Sequence, residues 1–364
     1  MRSMRFNVAI PLVTLILWGV ILSSSIAAPI SSFTPPMNVT VRMYRLFGGG
    51  DSTGTLCSTN DTSYGCTAFV GDASHAYPYG TNNPVTIPIE TDYLLDVVPK
   101  EVSVEAFYPT AIQAQAIAAR SYAYWHINQG STINNSTQFQ VFVPYTLETL
   151  APTTFPDNSS DPCASTNLNN NQRIVCSAVA PRYYISYGTY PNDDLPAFTE
   201  YFADIRNRTL SGGPPYLIAV DDPISSHPDI VQDGHGRGMS QKGASRWARG
   251  NLSYNINSDL GAWSVRWERP EQILVHYYTG VRIRDANKQI LIPPDRWNPL
   301  QINWGASGNR PPIMYHGSTY PISVEVQNTG VSDWTCGYPN FSYGQCSAGP
   351  IHRSLALDTF AILR

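Results

Sequence analysis

The sequence predicts an α+β fold: a mixed domain of short strands around a central alanine-rich helix, followed by a small, abbreviated β-sandwich-like module. Three observations carry that expectation. Residues 109–130 have helical spacing over a face made mostly of alanine, short runs of strand-like alternation lie on both sides of it, and the composition shifts near Pro293. Beyond the shift, a Pro/Gly/Asn stretch leads into a Val/Ile alternation with an Asn-Thr-Gly turn.

At 364 residues the chain has room for one or two domains and a sizeable core. Only 14% of residues are charged and the net charge is -4, while tyrosine (22) and proline (29) are plentiful. That balance excludes a polybasic nucleic-acid surface and an acidic tail, so no nucleic-acid partner is expected.

The elements follow in order. Residues 1–28 carry Arg2 and Arg5, an apolar run from Val8 to Leu22 and the small-x-small site Ser25-Ile26-Ala27, the pattern of a secretory signal. The rival reading is an uncleaved membrane anchor, since ~20 apolar residues span a bilayer. Either way the expected location is secreted or cell-surface, with membrane contact only through this segment. Val39, Val41 and Met43 alternate with polar residues, a strand that Gly48 to Gly50 break, and residues 51–84 read as a turn-rich insertion. VTIPIETDYLLDVV (85–98) reads as one or two further strands ended by Pro99. In the helix 109–130, Ile112, Ala116, Ala119, Ala123 and Ile127 make the apolar face, Thr110 is placed to cap and Gly130 to stop it. Such a small-residue face suits a buried helix.

Residues 131–176, rich in Asn, Ser, Thr and Pro, show no helical period and read as a loop. Short aromatic strands (RYYISYGTY, TEYFADI) and PPYLIAV follow, then GHGRGMSQKGAS (234–245) with a helix behind it, and EQILVHYYTGVRI as a short helix running into a strand. The expected domain is 38–292, with a linker at 293–309 and the β module at 310–364. The six cysteines fall into local pairs, Cys57/Cys66, Cys163/Cys176 and Cys336/Cys346. With an export signal, disulfides are the leading reading and zinc the alternative; no Cys-x-x-Cys or His-x-x-x-His supports a metal, and neither metal nor cofactor is expected.

Three places could carry chemistry. The glycine-histidine loop is not a phosphate loop: Gly238 and Gly243 have the spacing, but Ala244 and Ser245 stand where Lys and Ser/Thr are required. Its alternating glycines permit positive φ and present His235 without bulky neighbours, with Ser240 or Gln241 opening the helix. A tight turn with a satisfied histidine is the competing reading. Glu101, read as following a strand and set among Val97, Val98, Val102 and Val104, would have a raised pKa and could act as a general acid near neutrality; an ordinary solvated glutamate is the alternative. Arg120 among alanines would orient Glu101, bind a sugar or carboxylate, or form a structural ion pair.

In this order VVPKEV, AIQAQAIAARSYA, PYLIAV, GHGRGMSQKGA and ILVHYYTG resemble the SpoIID/LytB family of cell-wall proteins over residues 38–285. The chain departs from the family pattern at Val102, Ser103 and Thr110, and the serine-rich stretch before PYL survives only as Ser211-Gly212-Gly213. The resemblance implies a lytic transglycosylase acting on peptidoglycan glycan strands, with Glu101 as the sole acid/base and His235, Ser240 and Gln241 as substrate contacts, to which the residue reading adds Arg120. It also implies a rival role: binding the wall without cutting it, as an enhancer of a wall N-acetylmuramoyl-L-alanine amidase. A surface adhesion module is a third expectation, from the added β segment and the cysteines.

Overall fold

The computed structural model describes residues 33–68, 75–151, 161–188, 193–250, 266–291, 297–303 and 323–328. Strand β1 (Asn38–Arg42) pairs antiparallel with β4 (Val85–Pro88) and parallel with β5 (Ile133–Asn134). Its alternation is the one read from the sequence: Val39 and Val41 point inward against Ile87 and Ile133, and all four are buried. Between β1 and β4, β2 (Tyr44–Leu46) and β3 (Ser52–Leu56) form a hairpin, followed by the Cys57–Cys66 disulfide.

The segment 85–98 differs from its expectation. Only β4 is a strand; a wide helical turn at Ile89–Tyr93 leads directly into helix α1 (Leu94–Glu101). Leu94, Leu95, Val97 and Val98 fall on the buried face, a spacing that serves a helix as well as a strand in a run this short. Pro99 sits inside the helix and forfeits one backbone bond, and the chain turns extended at Val102.

Helix α2 (Pro109–Asn128) is the centre of the fold. It is buried almost all round and packs against α1, α4 (Asn170–Val179), α5 (Gln241–Arg249), α6 (Pro270–Tyr277) and β6 (Tyr184–Ser186). Ala114, Ala116, Ala118, Ala119 and Ala123 have no exposed surface, which lets these neighbours approach its axis closely; a larger side chain there would overpack, at about 1–3 kcal/mol. The helix starts at Pro109, in the first position where its missing N–H costs nothing, so Tyr108 rather than Thr110 is the cap residue. Gly130, at φ +69°, follows its end.

The stretch 131–176 is not all loop. It contains a short helix, α3 (Thr146–Thr149), and the start of α4, whose first turn carries a reciprocal cap between Asn169 and Gln172. The polar Asn-Gln run that reads as loop is thus a helix start. Cys176 of α4 is bonded to Cys163.

Strand β7 (Tyr201–Phe202) runs parallel to β10 (Met239–Ser240), and β8 (Asn207–Arg208) pairs with β9 (Asp221–Asp222). Strand β11 (Arg282–Arg284) lies between β6 and β12 (Ile290–Leu291). The β7–β10 pair matters most, because it sets the glycine-histidine loop beside Tyr201. Past Pro293, β13 (Trp297–Asn303) and β14 (Ser323–Asn328) pair antiparallel, so part of the expected linker is strand. The N-terminal apolar segment and the Cys336/Cys346 pair lie outside the described residues. Among those described, no helix is long and apolar enough to cross a membrane.

Candidate functional site

Glu101 is the last residue of α1, and its carboxyl opens on a cavity of about 320 Å³. One wall is the segment Thr137–Val141; the other is Tyr201 and Phe202 with the loop Gly234–Arg237; Tyr122 of α2 contributes as well. Burial pushes the Glu101 pKa up to about 7. Two donors oppose that rise without cancelling it: the Val141 backbone N–H, at 2.8 Å from Oε1, and the Gln241 side chain. No basic side chain pairs with Glu101 among the described residues.

The cavity's other acid, Glu200, is in a different state. Arg237 grips it with both prongs, Nε at 2.9 Å and Nη2 at 2.5 Å. Among the described residues, Glu101 is therefore the one cavity carboxyl without a cation.

The loop owes its shape to backbone that only glycine tolerates easily. Gly234, Gly236 and Gly238 have φ of +93°, +79° and +76°. At Gly238 a Cβ would meet the Glu200 carbonyl oxygen at 2.0 Å, so any side chain there would push β10 away from β7. His235 is exposed on the cavity rim, with its ring 5.8 Å from that of Phe202. Its Nδ1 accepts the Arg237 backbone N–H at 3.1 Å, which leaves Nε2 to carry the proton of the neutral ring. Partial burial against the cavity wall lowers its pKa, which favours the neutral ring.

Beneath the loop, α5 is held by a buried carboxylate. Asp222 accepts hydrogen bonds from Trp247 Nε1 (2.7 Å), the Tyr277 hydroxyl (2.8 Å) and the Ser225 hydroxyl (2.9 Å). Burial would raise its pKa, yet the neighbouring His276, 3.8 Å away, and the three donors outweigh burial and leave it below the usual carboxylate value. A Cβ on Gly243 would lie 2.3 Å from the Tyr277 hydroxyl and 2.6 Å from an Asp222 oxygen, which explains glycine in this helix. Arg246, buried, pairs with Asp204 at 2.8 and 2.7 Å.

Of the residues singled out in the sequence, Glu101 and His235 line the same cavity. Gln241 is buried and reaches Glu101 instead of open space. Two expected substrate contacts are corrected. Arg120 is wholly buried and is held by Glu90 (2.9 and 2.6 Å) and by the carbonyls of Tyr183 and Val179, so it is a framework ion pair and does not line the Glu101 cavity. Ser240 is buried as the cap of α5, its hydroxyl accepting the Gly243 N–H at 3.0 Å. Sequence reasoning missed Tyr122, Phe139, Glu200, Tyr201 and Arg237. Of these, Glu200 and Tyr201 lie in the aromatic strand TEYFADI, Arg237 within the glycine loop and Tyr122 in AIQAQAIAARSYA, and only Phe139 falls outside every stretch singled out.

Of the two disulfides described, Cys57–Cys66 has Asp61 beside it, a grouping with metal-like spacing. Its sulfurs are bonded to each other and Asp61 holds Arg45 at 2.8 Å, so the three side chains already have partners.

No curated protein matches the chain. Residues 80–181 match the family model described as SpoIID, stage II sporulation protein, a span that includes Glu101, Tyr122 and the wall Thr137–Val141 and ends before Tyr201 and His235. The domain connects the chain to a cell-wall or sporulation-related function. Over residues 80–181, less than a third of its length, the chain is similar to the SpoIID family.

Proposed function

We propose that the protein is a peptidoglycan lytic transglycosylase and that Glu101 is its only acid/base. The observation that carries this reading is a carboxyl that pairs with no cation among the described residues, is raised to about 7 and opens on an aromatic-walled cavity. At neutral pH about half of such groups hold a proton, the condition that suits a general acid. Hydrolytic glycosidases use two carboxyl groups, one of them ionised and free to activate water or attack carbon. Here the second acid, Glu200, is bound to Arg237.

A one-acid reaction closes its own balance. Glu101 gives its proton to the oxygen leaving C1 of N-acetylmuramic acid as the C1–O bond breaks. The resulting carboxylate then takes the proton of the C6 hydroxyl as O6 bonds to C1, which forms the 1,6-anhydro ring and restores the acid. Tyr122, Phe139, Tyr201, Phe202 and His235 supply ring faces and polar edges for sugars. Since the substrate lies outside the membrane, this role needs export, which the segment 1–28 would direct; the partners are glycan strands, and a wall amidase if the two act in sequence.

The test is incubation of the mature protein with intact and amidase-stripped sacculi, with sugar ends identified by mass spectrometry. Anhydro-muramic ends released by the wild type and absent with Glu101→Gln are expected. Release by the variant, or none by the wild type while an added amidase is stimulated, would overturn the reading in favour of a wall-binding enhancer.

A further inference from the structure

Gln140 is a fully buried amide behind the cavity wall, and its hydrogen bonds form a closed set. Its Nε2 donates to the Ala119 carbonyl at 3.2 Å and to the Tyr201 hydroxyl oxygen at 2.8 Å, while its Oε1 accepts from the buried Tyr93 hydroxyl at 2.9 Å. The Ala119 carbonyl can only accept, so it fixes which end of the amide carries nitrogen. Both Nε2 protons are then assigned, one to Ala119 and one to Tyr201. The Tyr201 oxygen must therefore accept from Gln140, and it cannot also hand its own proton back along that bond. Among the described residues no acceptor takes that proton.

Tyr201 lines the cavity with Glu101. We infer that Tyr201 is a dedicated hydrogen-bond donor to the ligand, its phenolic O–H held toward the cavity by Gln140, and that it selects sugars bearing an acetamide through the amide carbonyl oxygen. A sugar hydroxyl can give or take a hydrogen bond and adapts to either partner. A phenol whose acceptor side is occupied offers only a proton, and the group that best answers a donor is an obligate acceptor, the carbonyl of an N-acetyl group. Tyr201 binds and discriminates; the proton transfers remain with Glu101. This inference rests on the reading of the cavity as a site for N-acetylated glycan, but it concerns binding and not cleavage.

The two claims separate in one experiment. Binding of an N-acetylglucosamine tetramer and of cellotetraose, which has a hydroxyl in place of each acetamide, is measured by calorimetry on Glu101→Gln protein with and without Tyr201→Phe. The parent is expected to prefer the acetamido sugar about tenfold or more, and Tyr201→Phe to bring the two affinities within about threefold, the scale of one buried hydrogen bond. A thermal melt checks that the variant, whose Gln140 has lost a partner, remains folded. Gln140→Leu, which frees the phenol to turn, should lose part of the preference while keeping the phenol. No sugar binding by the parent, equal binding of both sugars, or a Tyr201→Phe protein that keeps the preference would overturn the inference. Acetamide preference retained in a protein that releases no anhydro ends would leave Tyr201 in place and remove only the transglycosylase.

Discussion

Glu101 and Asp222 are two carboxyl groups of one domain with opposite fates. Burial raises both, but Asp222 collects three donors, from Trp247, Tyr277 and Ser225, and is held below the usual carboxylate value, whereas Glu101 has one backbone N–H and one amide and sits near 7. The number and strength of the donors, more than burial, decide which carboxyl keeps a proton at neutral pH. The fold fully supplies the acid that holds α5 in place and undersupplies the one at the cavity. That difference separates a scaffold from a reactive group.

The comparison can be broken in four ways, from the largest effect down. Glu101→Gln keeps shape and polarity but has no proton to give; turnover should fall about 10³-fold or more, measured as anhydro-muramic product per unit time. Retention of even a tenth of the activity would move the acid elsewhere. Asp222→Ala would strand three buried donors under the glycine loop and should cost about 3–5 kcal/mol in urea unfolding. A cost below about 1 kcal/mol would mean that Asp222 is no anchor.

The third test uses pH and is smaller. Glu101 has a folded-state pKa of about 7 against an ordinary 4.5, so its stabilising share is complete below 4.5 and disappears as pH rises through 7. Glu101→Gln should therefore match the wild type in stability at pH 4 and exceed it at pH 8, by roughly 1–3 kcal/mol after allowance for the solvent at the cavity mouth. Asp222 has the opposite sign: its lowered pKa contributes stability above the ordinary carboxylate range that is lost on acidification. An equal gap between Glu101→Gln and wild type at pH 4 and pH 8 would show that Glu101 titrates normally. Last, His235→Ala should slow turnover about tenfold with secretion and melting unchanged, because the ring lines the cavity without supporting the core. Unchanged kinetics would make the loop a turn and nothing more.

What the sequence disclosed depended on the range of the interaction. The alanine face of α2, the β1 alternation, the start of α5 at Ser240 or Gln241 and the positive-φ glycines are local, and each was legible from neighbours within a few positions. Two local patterns misled. Val-Val-Pro resembles a strand end, yet Leu94, Leu95, Val97 and Val98 bury one side of α1; the polar run at Asn169 resembles a loop, yet it caps α4. Pairings across the chain left no trace. Arg120 finds Glu90 thirty positions away, Gln140 meets Tyr201 sixty-one positions on, and Glu200 meets Arg237 across thirty-seven, so the second wall of the cavity was visible only in three dimensions.

The central claim is that Glu101 holds its proton near neutrality, and a carboxyl titration tests it most directly. Protein carrying ¹³C-carboxyl glutamate would be followed by NMR from pH 3 to 9, with Glu101→Gln identifying the resonance. A midpoint near 7 is the expected result. A midpoint between about 4 and 5, where ordinary glutamates titrate, would contradict the account.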